Sequence, residues 1–257
     1  MQVIIKENYE EMSKEAAKII KDEILHKPNL VLGLATGSTP IGTYKELIRM
    51  YEAGEVDFSK VVTFNLDEYV GLPSTHNQSY FYFMQEKLFK GININPENIH
   101  VPSGIVKDFN AYCQWYEDEI DKVGGVDVQV LGIGGDGHIG FNEPGTSLVS
   151  RTQVVTLTEE TIEDNSRFFE KKEDVPRFAI TMGVGTIMEA KHCLLVANGE
   201  KKADPVSVLI EGPITSQVTA SVLQMHPKAT VILDEAAASK LNRIDYYKWA
   251  YENQPEI

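Results

Sequence analysis

Short, unbroken apolar runs alternate with stretches of helical periodicity along this chain, and that alternation constrains its fold more than any other feature. Val3–Ile5, Leu30–Leu34, Val61–Leu66, Val126–Ile133, Cys193–Ala197 and Thr230–Leu233 read as strands, with shorter ones at Ile99–Val101 and Val154–Leu157. Between them, Tyr9, Met12, Ala16, Ile19 and Ile24 recur at helical spacing. Ile41–Tyr51, Ser79–Phe89, Phe109–Val123, Glu159–Phe169, Thr186–Ala190 and Lys202–Ile210 also read as helices. Strands without polar alternation are buried on both faces, which calls for a mainly parallel sheet covered by helices on each side. Ligands of such α/β sheets sit at the carboxyl ends of the strands. The loops that follow strands are therefore where chemistry is expected.

The 257 residues fit one α/β unit, and no low-complexity linker or repeat divides them. A formal charge of −14 disfavours nucleic acid and anionic membranes as partners. An anionic substrate would need local cations that overcome this field. Cys113 and Cys193 form no CxxC motif and each lies in an apolar pattern, so core packing is their expected role. The amino terminus lacks the pattern of a signal peptide. No run approaches the ~18 apolar residues of a membrane span, and the expected location is the cytoplasm.

Three strand-end loops stand out. Leu34–Pro40 (LATGSTP) offers Gly37 for close backbone approach, hydroxyls on Ser38 and Thr39, and the start of a helix. These suit a phosphate, although the GxxxxGK[ST] pattern is absent and the residues would equally serve an ordinary strand-to-helix turn. In Val62–Gly71 (VTFNLDEYVG), Asp67 and Glu68 follow an apolar strand. One of them can act as a general base; neighbouring acids face apart, so at most one is expected to line a site. Gly132–Gly145 (GIGGDGHIGFNEPG) places Asp136, His138 and Glu143 among six glycines. An imidazole flanked by carboxylates suits proton transfer near neutrality. Asp-x-His supplies two metal ligands, but no second His or Cys cluster lies nearby. The GxGxxG spacing of a dinucleotide fingerprint fails here too, so neither metal nor cofactor is expected. Arg167 and the lysines Lys201 and Lys202, at a helix start, are the cations best placed for an anionic ligand.

Taken together, GLATGSTP, VVTFNLDEYVGL, LGIGGDGHIGFNEPG, SRT, NSRFF and TMGVGT resemble, in order and spacing, the glucosamine-6-phosphate deaminase (isomerase) family across nearly the whole chain. The resemblance implies a modified doubly wound, Rossmann-like domain over residues 1–257 with a mobile lid, which we place around 158–184. It implies conversion of glucosamine 6-phosphate and water to fructose 6-phosphate and ammonia without metal or organic cofactor. By matching motif, Asp67 takes the proton from C2 and returns one to C1. Asp136, His138 and Glu143 serve ring opening, with the histidine carrying the proton. Gly37, Ser38, Thr39, Arg167 and Lys202 hold the phosphate.

Family members activated by N-acetylglucosamine 6-phosphate carry basic residues shortly after SRT. Gln153 and Val155 stand there instead, so weak or absent activation is expected and oligomeric state is left open. The nearest rival, 6-phosphogluconolactonase, shares the DGH motif but follows it with a Ser-containing stretch ending in Phe-Pro. Here DGH leads into IGFNEPGT. Another alternative is a related amino-sugar-phosphate isomerase, such as the galactosamine form. A non-catalytic sugar-phosphate sensor would need a DNA-binding extension, and none precedes Val3. The aromatic stretch Arg243–Tyr251 is expected to dock on the core or on another subunit.

Overall fold

The computed structural model describes residues 1–254, so the last three residues of the expected domain lie outside the described span. The chain opens with β1 (Gln2–Lys6), α1 (Tyr9–His26), β2 (Val31–Leu34), α2 (Ile41–Glu52), β3 (Val62–Asn65), β4 (Asp67–Tyr69) and α3 (Tyr80–Lys87). It continues through β5 (Ile99–His100), α4 (Phe109–Lys122), β6 (Val128–Leu131), β7 (Gln153–Thr156), α5 (Glu159–Ser166), β8 (Phe178–Thr181) and α6 (Val184–Met188). It ends with β9 (His192–Ala197), α7 (Ala203–Glu211), β10 (Ala229–Asp234), α8 (Glu235–Ala238) and α9 (Ile244–Glu252). No helix among the described residues is long and apolar enough to cross a membrane.

Seven strands form one sheet in the order β1-β10-β9-β6-β2-β3-β5, with every neighbouring pair parallel. From β2 the chain winds one way through β3 and β5. It then returns to β6, on the other side of β2, and winds away through β9 and β10. The winding reverses between β2 and β6, and a crevice opens at such a switch point beyond the strand ends. The loops that leave these two strands are the LATGSTP and glycine-rich segments. β6, β9 and β10 are buried throughout, as their mainly apolar sequences without polar alternation require. Cys113 and Cys193 are buried free thiols, and burial pushes Cys193 up to about 12.

A second sheet, antiparallel and ordered β4-β8-β7, was not anticipated. Its origin is local. The backbone bends at Leu66, and the apolar run that reads as one strand becomes β3 in the large sheet and β4 in the small one. Asp67 and Glu68 therefore belong to a strand and not to a turn. β8 falls inside the expected lid: Ala179, Ile180 and Thr181 are fully buried, and Val184 begins α6 in the main core. Residues 179–184 thus pack into the core, whereas Phe178 is exposed.

The SRT and TMGVGT motifs join the two sheets. Glu117 of α4 is buried and accepts hydrogen bonds from the Thr152 N–H (2.7 Å), the Thr186 hydroxyl (2.7 Å), the Thr152 hydroxyl and Arg151. The Val184 N–H donates to the Ser150 hydroxyl (3.0 Å). Gly183 is required by contact: a Cβ there would lie 2.1 Å from the Ser150 carbonyl oxygen. The carboxyl-terminal stretch docks on its own core. Tyr251 donates to Glu15 (2.9 Å) and Tyr247 to Glu211 (3.1 Å), while Tyr246 and Trp249 stay exposed.

Truncating Glu117 leaves two threonine hydroxyls and an amide without their acceptor and leaves the Arg151 guanidinium with Glu189 alone. Glu117→Ala is expected to lower the unfolding free energy by about 2–4 kcal/mol, read from the midpoint of urea denaturation at unchanged slope.

Candidate active site

A cavity of about 190 Å³ opens at the switch point. Its walls come from the loop after β2, from Leu66 and Asp67, from the glycine-rich loop after β6, from α5, and from Lys202. All nine residues that the resemblance assigns to the site are placed at or beside it, whereas Lys201 is exposed and does not line it. Gly37, Ser38, Thr39, Asp67, His138, Arg167 and Lys202 line it directly. Asp136 and Glu143 stand behind His138.

Asp67 is 6% exposed, and no hydrogen-bond donor among the described residues reaches its carboxylate. Burial, reinforced by the adjacent Glu68, pushes it up to about 8. A desolvated carboxylate with no donor is a strong base for its type. Glu68 turns the other way, as the two-residue period of a strand requires. It accepts from the N–H groups of Tyr69 (2.8 Å), Tyr80 (3.0 Å) and Phe81 (3.1 Å). Burial still pushes it up, to about 7, against the pull of those donors. Glu68 thereby ties β4 to the start of α3, which brings Tyr80 to the cavity wall.

The glycine-rich loop is pinned at several points. The Gly134 N–H donates to the His138 carbonyl (2.8 Å), Phe141 N–H to the Thr181 hydroxyl (3.1 Å), and Ile139 N–H to the Thr219 hydroxyl (3.2 Å). Asn142 is fully buried and donates to the carbonyls of Ile139 (2.9 Å) and Met182 (2.8 Å). Position 134 has no room for a side chain, since a Cβ would lie 2.4 Å from the imidazole of His138. The ring thus packs over bare backbone. Asp136 Oδ1 lies 2.7 Å from His138 Nδ1 and accepts from the His138 N–H (3.1 Å). Glu143 Oε2 is 3.6 Å from the same ring nitrogen, and Glu143 Oε1 accepts from the Thr158 N–H (3.1 Å). Burial raises the Asp136 carboxyl, but the imidazole beside it outweighs burial and holds it below the usual range. With Nδ1 between two carboxylates, Nε2 is the nitrogen left to exchange a proton. The three donor atoms lie within 4.8 Å of one another, so this set is also where a cation would find ligands.

The far wall is cationic. Neither Arg167 nor Lys202 makes an ion pair with an acid among the described residues, whereas most other lysines here are paired. Lys202 occupies the cap position of α7, and no side chain caps that helix or α2. Burial is the main cause that holds the Lys202 ammonium below the ordinary lysine range, against the pull of Asp164. Two cations, uncapped helix starts and the Gly37–Thr39 backbone thus share one wall of the cavity in a chain of net charge −14, a combination of the kind that favours an anion.

Tyr80, Thr36, Thr161, Asp164 and Asn165 also line the cavity and were not anticipated. Tyr80 stacks on Phe141 at 6.0 Å and meets Tyr69 at 4.9 Å. These rings belong to a small separate cluster with Leu157, Ile162 and Val175, against which Phe169 packs. α5 rests on this cluster and not on the main core. Nothing local in the sequence marks Tyr80 as a wall residue, but the i, i+3, i+4 spacing of Thr161, Asp164 and Asn165 places them on one helix face.

Residues 6–232 match the family model described as glucosamine-6-phosphate isomerases/6-phosphogluconolactonase. A glucosamine-6-phosphate deaminase of Thermoanaerobacter pseudethanolicus is 58% identical over 239 residues, covering 93% of this chain and 94% of that one. Glucosamine-6-phosphate deaminase 2 of Bacillus subtilis is 55% identical over 96% of this chain and 100% of its own length. A solved structure of a monomeric glucosamine-6-phosphate deaminase matches with a TM-score of 0.92 at 46% identity, covering 93% of this chain and 100% of that one. A 6-phosphogluconolactonase of Leishmania guyanensis, 22% identical over 92% of this chain and 97% of its own, shares the fold with a TM-score of 0.70. With its two-sheet architecture and its switch-point cavity, the chain belongs to the glucosamine-6-phosphate isomerase/6-phosphogluconolactonase family.

Proposed function

We propose that this protein is a glucosamine-6-phosphate deaminase that converts glucosamine 6-phosphate and water to fructose 6-phosphate and ammonia. The observation that carries this reading is the pairing of two separate acid–base systems in one cavity. Asp67 is a bare buried carboxylate, while His138 is held between Asp136 and Glu143. A lactonase hydrolyses one ester and needs one base to activate water. An aldose–ketose shift on a cyclic sugar needs two. One moves a proton between the anomeric hydroxyl and the ring oxygen, and the other works at C2.

In this reading the phosphate lies on Gly37–Thr39 with Arg167 and Lys202. Its distance from the reacting carbons makes it an orienting handle. His138, steadied by Asp136 and Glu143, carries the proton that opens the ring. Asp67 then removes the C2 proton from the open-chain aldose and returns it to C1. The product is a ketose imine at C2. Water adds there, the C–N bond breaks, and ammonia leaves. The lid is the segment around 158–184, whose first part docks on the small aromatic cluster through Ile162 of α5 and Phe169 beyond its end. Its closing would bring Arg167 onto the phosphate.

Incubation with glucosamine 6-phosphate, with fructose 6-phosphate and ammonia both assayed, tests the reaction. Binding without release of ammonia would favour a sensor, and turnover of 6-phosphogluconolactone alone would favour the lactonase. Within the family, faster turnover of galactosamine 6-phosphate would reassign the substrate.

Asp67→Asn is expected to reduce kcat by at least about a thousandfold with fructose 6-phosphate binding retained, since its role lies in the chemical step. The folded-state value of about 8 lies above the ~4 of an unfolded aspartate. Folding therefore favours protonated Asp67, and this contribution to stability is lost as pH rises from about 4 through about 8. Asn carries no such dependence. At pH about 8–9 the variant should be more stable than the parent by about 0.5–2 kcal/mol, with the gap closing on acidification. For the parent, kcat/KM should rise with pH towards about 8, because the ionised base is the active form.

The activating site is expected to be missing. Gln153 and Val155 lie in β7, and Val155 packs on the small aromatic cluster. Neither carries the positive charge that would pair with a phosphate. Initial rates should be hyperbolic and unchanged by N-acetylglucosamine 6-phosphate; a sigmoidal-to-hyperbolic shift would refute this.

A further inference from the structure

One charge in the cavity has the wrong sign for its surroundings. Asp164 lines the same wall as Arg167 and Lys202. It lies three residues before Arg167, so both project from one face of α5. Its Oδ2 stands 3.7 Å from where a Cβ on Gly135 would be, which places it over the glycine-rich loop. Glu160 Oε1 stands 3.6 Å from the same point, but Glu160 does not line the cavity. Glu159 and Glu160 occupy the first turn, where the helix dipole favours them, and Glu163 pairs with Lys172 at 2.6 Å. Asp164 sits in the last turn, where the dipole disfavours an anion. What favours it there is the pair of cations. Its carboxylate raises the Lys202 ammonium, while Arg167 lowers it.

We propose that Asp164 is a resident counter-ion that competes with the substrate's phosphate for Arg167 and Lys202, and so sets the affinity of the site. The proposal rests on the phosphate site described above and adds an antagonist to it. The phosphate is the same group in substrate, transition state and product. Beyond what orientation of the reacting carbons uses, interactions with it deepen all three wells alike and do not speed the chemical step. An excess of such binding would hold fructose 6-phosphate on the enzyme. A carboxylate on the lid offsets part of it. When the phosphate leaves, Asp164 supplies the negative charge that the two cations would otherwise lack.

Asp164→Asn keeps the shape and removes the charge. It is expected to lower the KM for glucosamine 6-phosphate, and the inhibition constants of inorganic phosphate and fructose 6-phosphate, together by about 3- to 10-fold at low ionic strength. The gap should narrow as salt is raised to about 1 M, where charges more than ~3 Å apart are screened. Asp164→Glu, which retains the charge, should stay within about twofold of the parent. A merely structural role would give neither the salt dependence nor the rescue by Glu. Unchanged or raised inhibition constants in Asp164→Asn would overturn the proposal. Arg167→Ala and Lys202→Ala locate any failure. If both weaken inorganic phosphate while Asp164→Asn does not strengthen it, the counter-ion proposal alone is wrong. If neither cation variant changes phosphate affinity, the phosphate site falls and the proposal with it.

Discussion

Leu66 hydrogen-bonds to both sheets, and the site depends on that single residue's position. Its N–H donates to the Leu34 carbonyl (3.0 Å) and so extends the large sheet, while its carbonyl accepts from the Met182 N–H (2.7 Å) beside the small one. The backbone must bend between these two partners. The next residue, Asp67, is thereby placed beyond the end of β3, at the mouth of the crevice and under cover of a second sheet. A longer β3 would have carried Asp67 past the cavity. A polar turn in place of β4 would have left it solvated, with an ordinary carboxylate's weak basicity.

The surroundings then divide the labour among the acids. Asp67 and Glu68 are neighbours with opposite orientations: one faces the cavity without a donor, the other is wrapped by three N–H groups. Glu68 also contributes to the raised proton affinity of Asp67. Its other service is geometric, since the helix start it holds delivers Tyr80 to the wall. Such an arrangement is costly to the fold. Glu117 stands in contrast, because it is buried among hydroxyls, an amide and a guanidinium and joins the sheets.

Much of this was legible in the sequence, for identifiable reasons. Buried parallel strands have no polar face, so β6, β9 and β10 announce themselves as apolar runs. The glycines around His138 announce a backbone under steric demand, and Gly134 shows the demand directly. The small sheet was hidden. Its β4 is three residues long and continues an apolar run, and β8 lies in a stretch that family resemblance suggested was mobile. A bend at one leucine leaves no signature in composition or periodicity. Tyr80 and Asp164 were hidden differently, because their meaning comes from what other segments place opposite them.

The two acid–base systems are separated by environment more than by distance. Asp136 is held low by an imidazole, and Asp67 is held high by burial. Pairs of titratable groups whose surroundings push their proton affinities apart are how one cavity assigns distinct proton-transfer roles. The order of the proposed reaction requires this split. Opening the ring needs a group that both gives and takes a proton, and the carboxylates of Asp136 and Glu143 hold the imidazole of His138 in place for it. Removing hydrogen from carbon needs a base that remains strong after substrate has expelled water, so Asp67 must have no donor to weaken it. A single hydrogen-bonded network linking all four residues would equalise their affinities and compromise both tasks. The bend at Leu66 keeps Asp67 on its own strand, outside the loop that orders Asp136, His138 and Glu143.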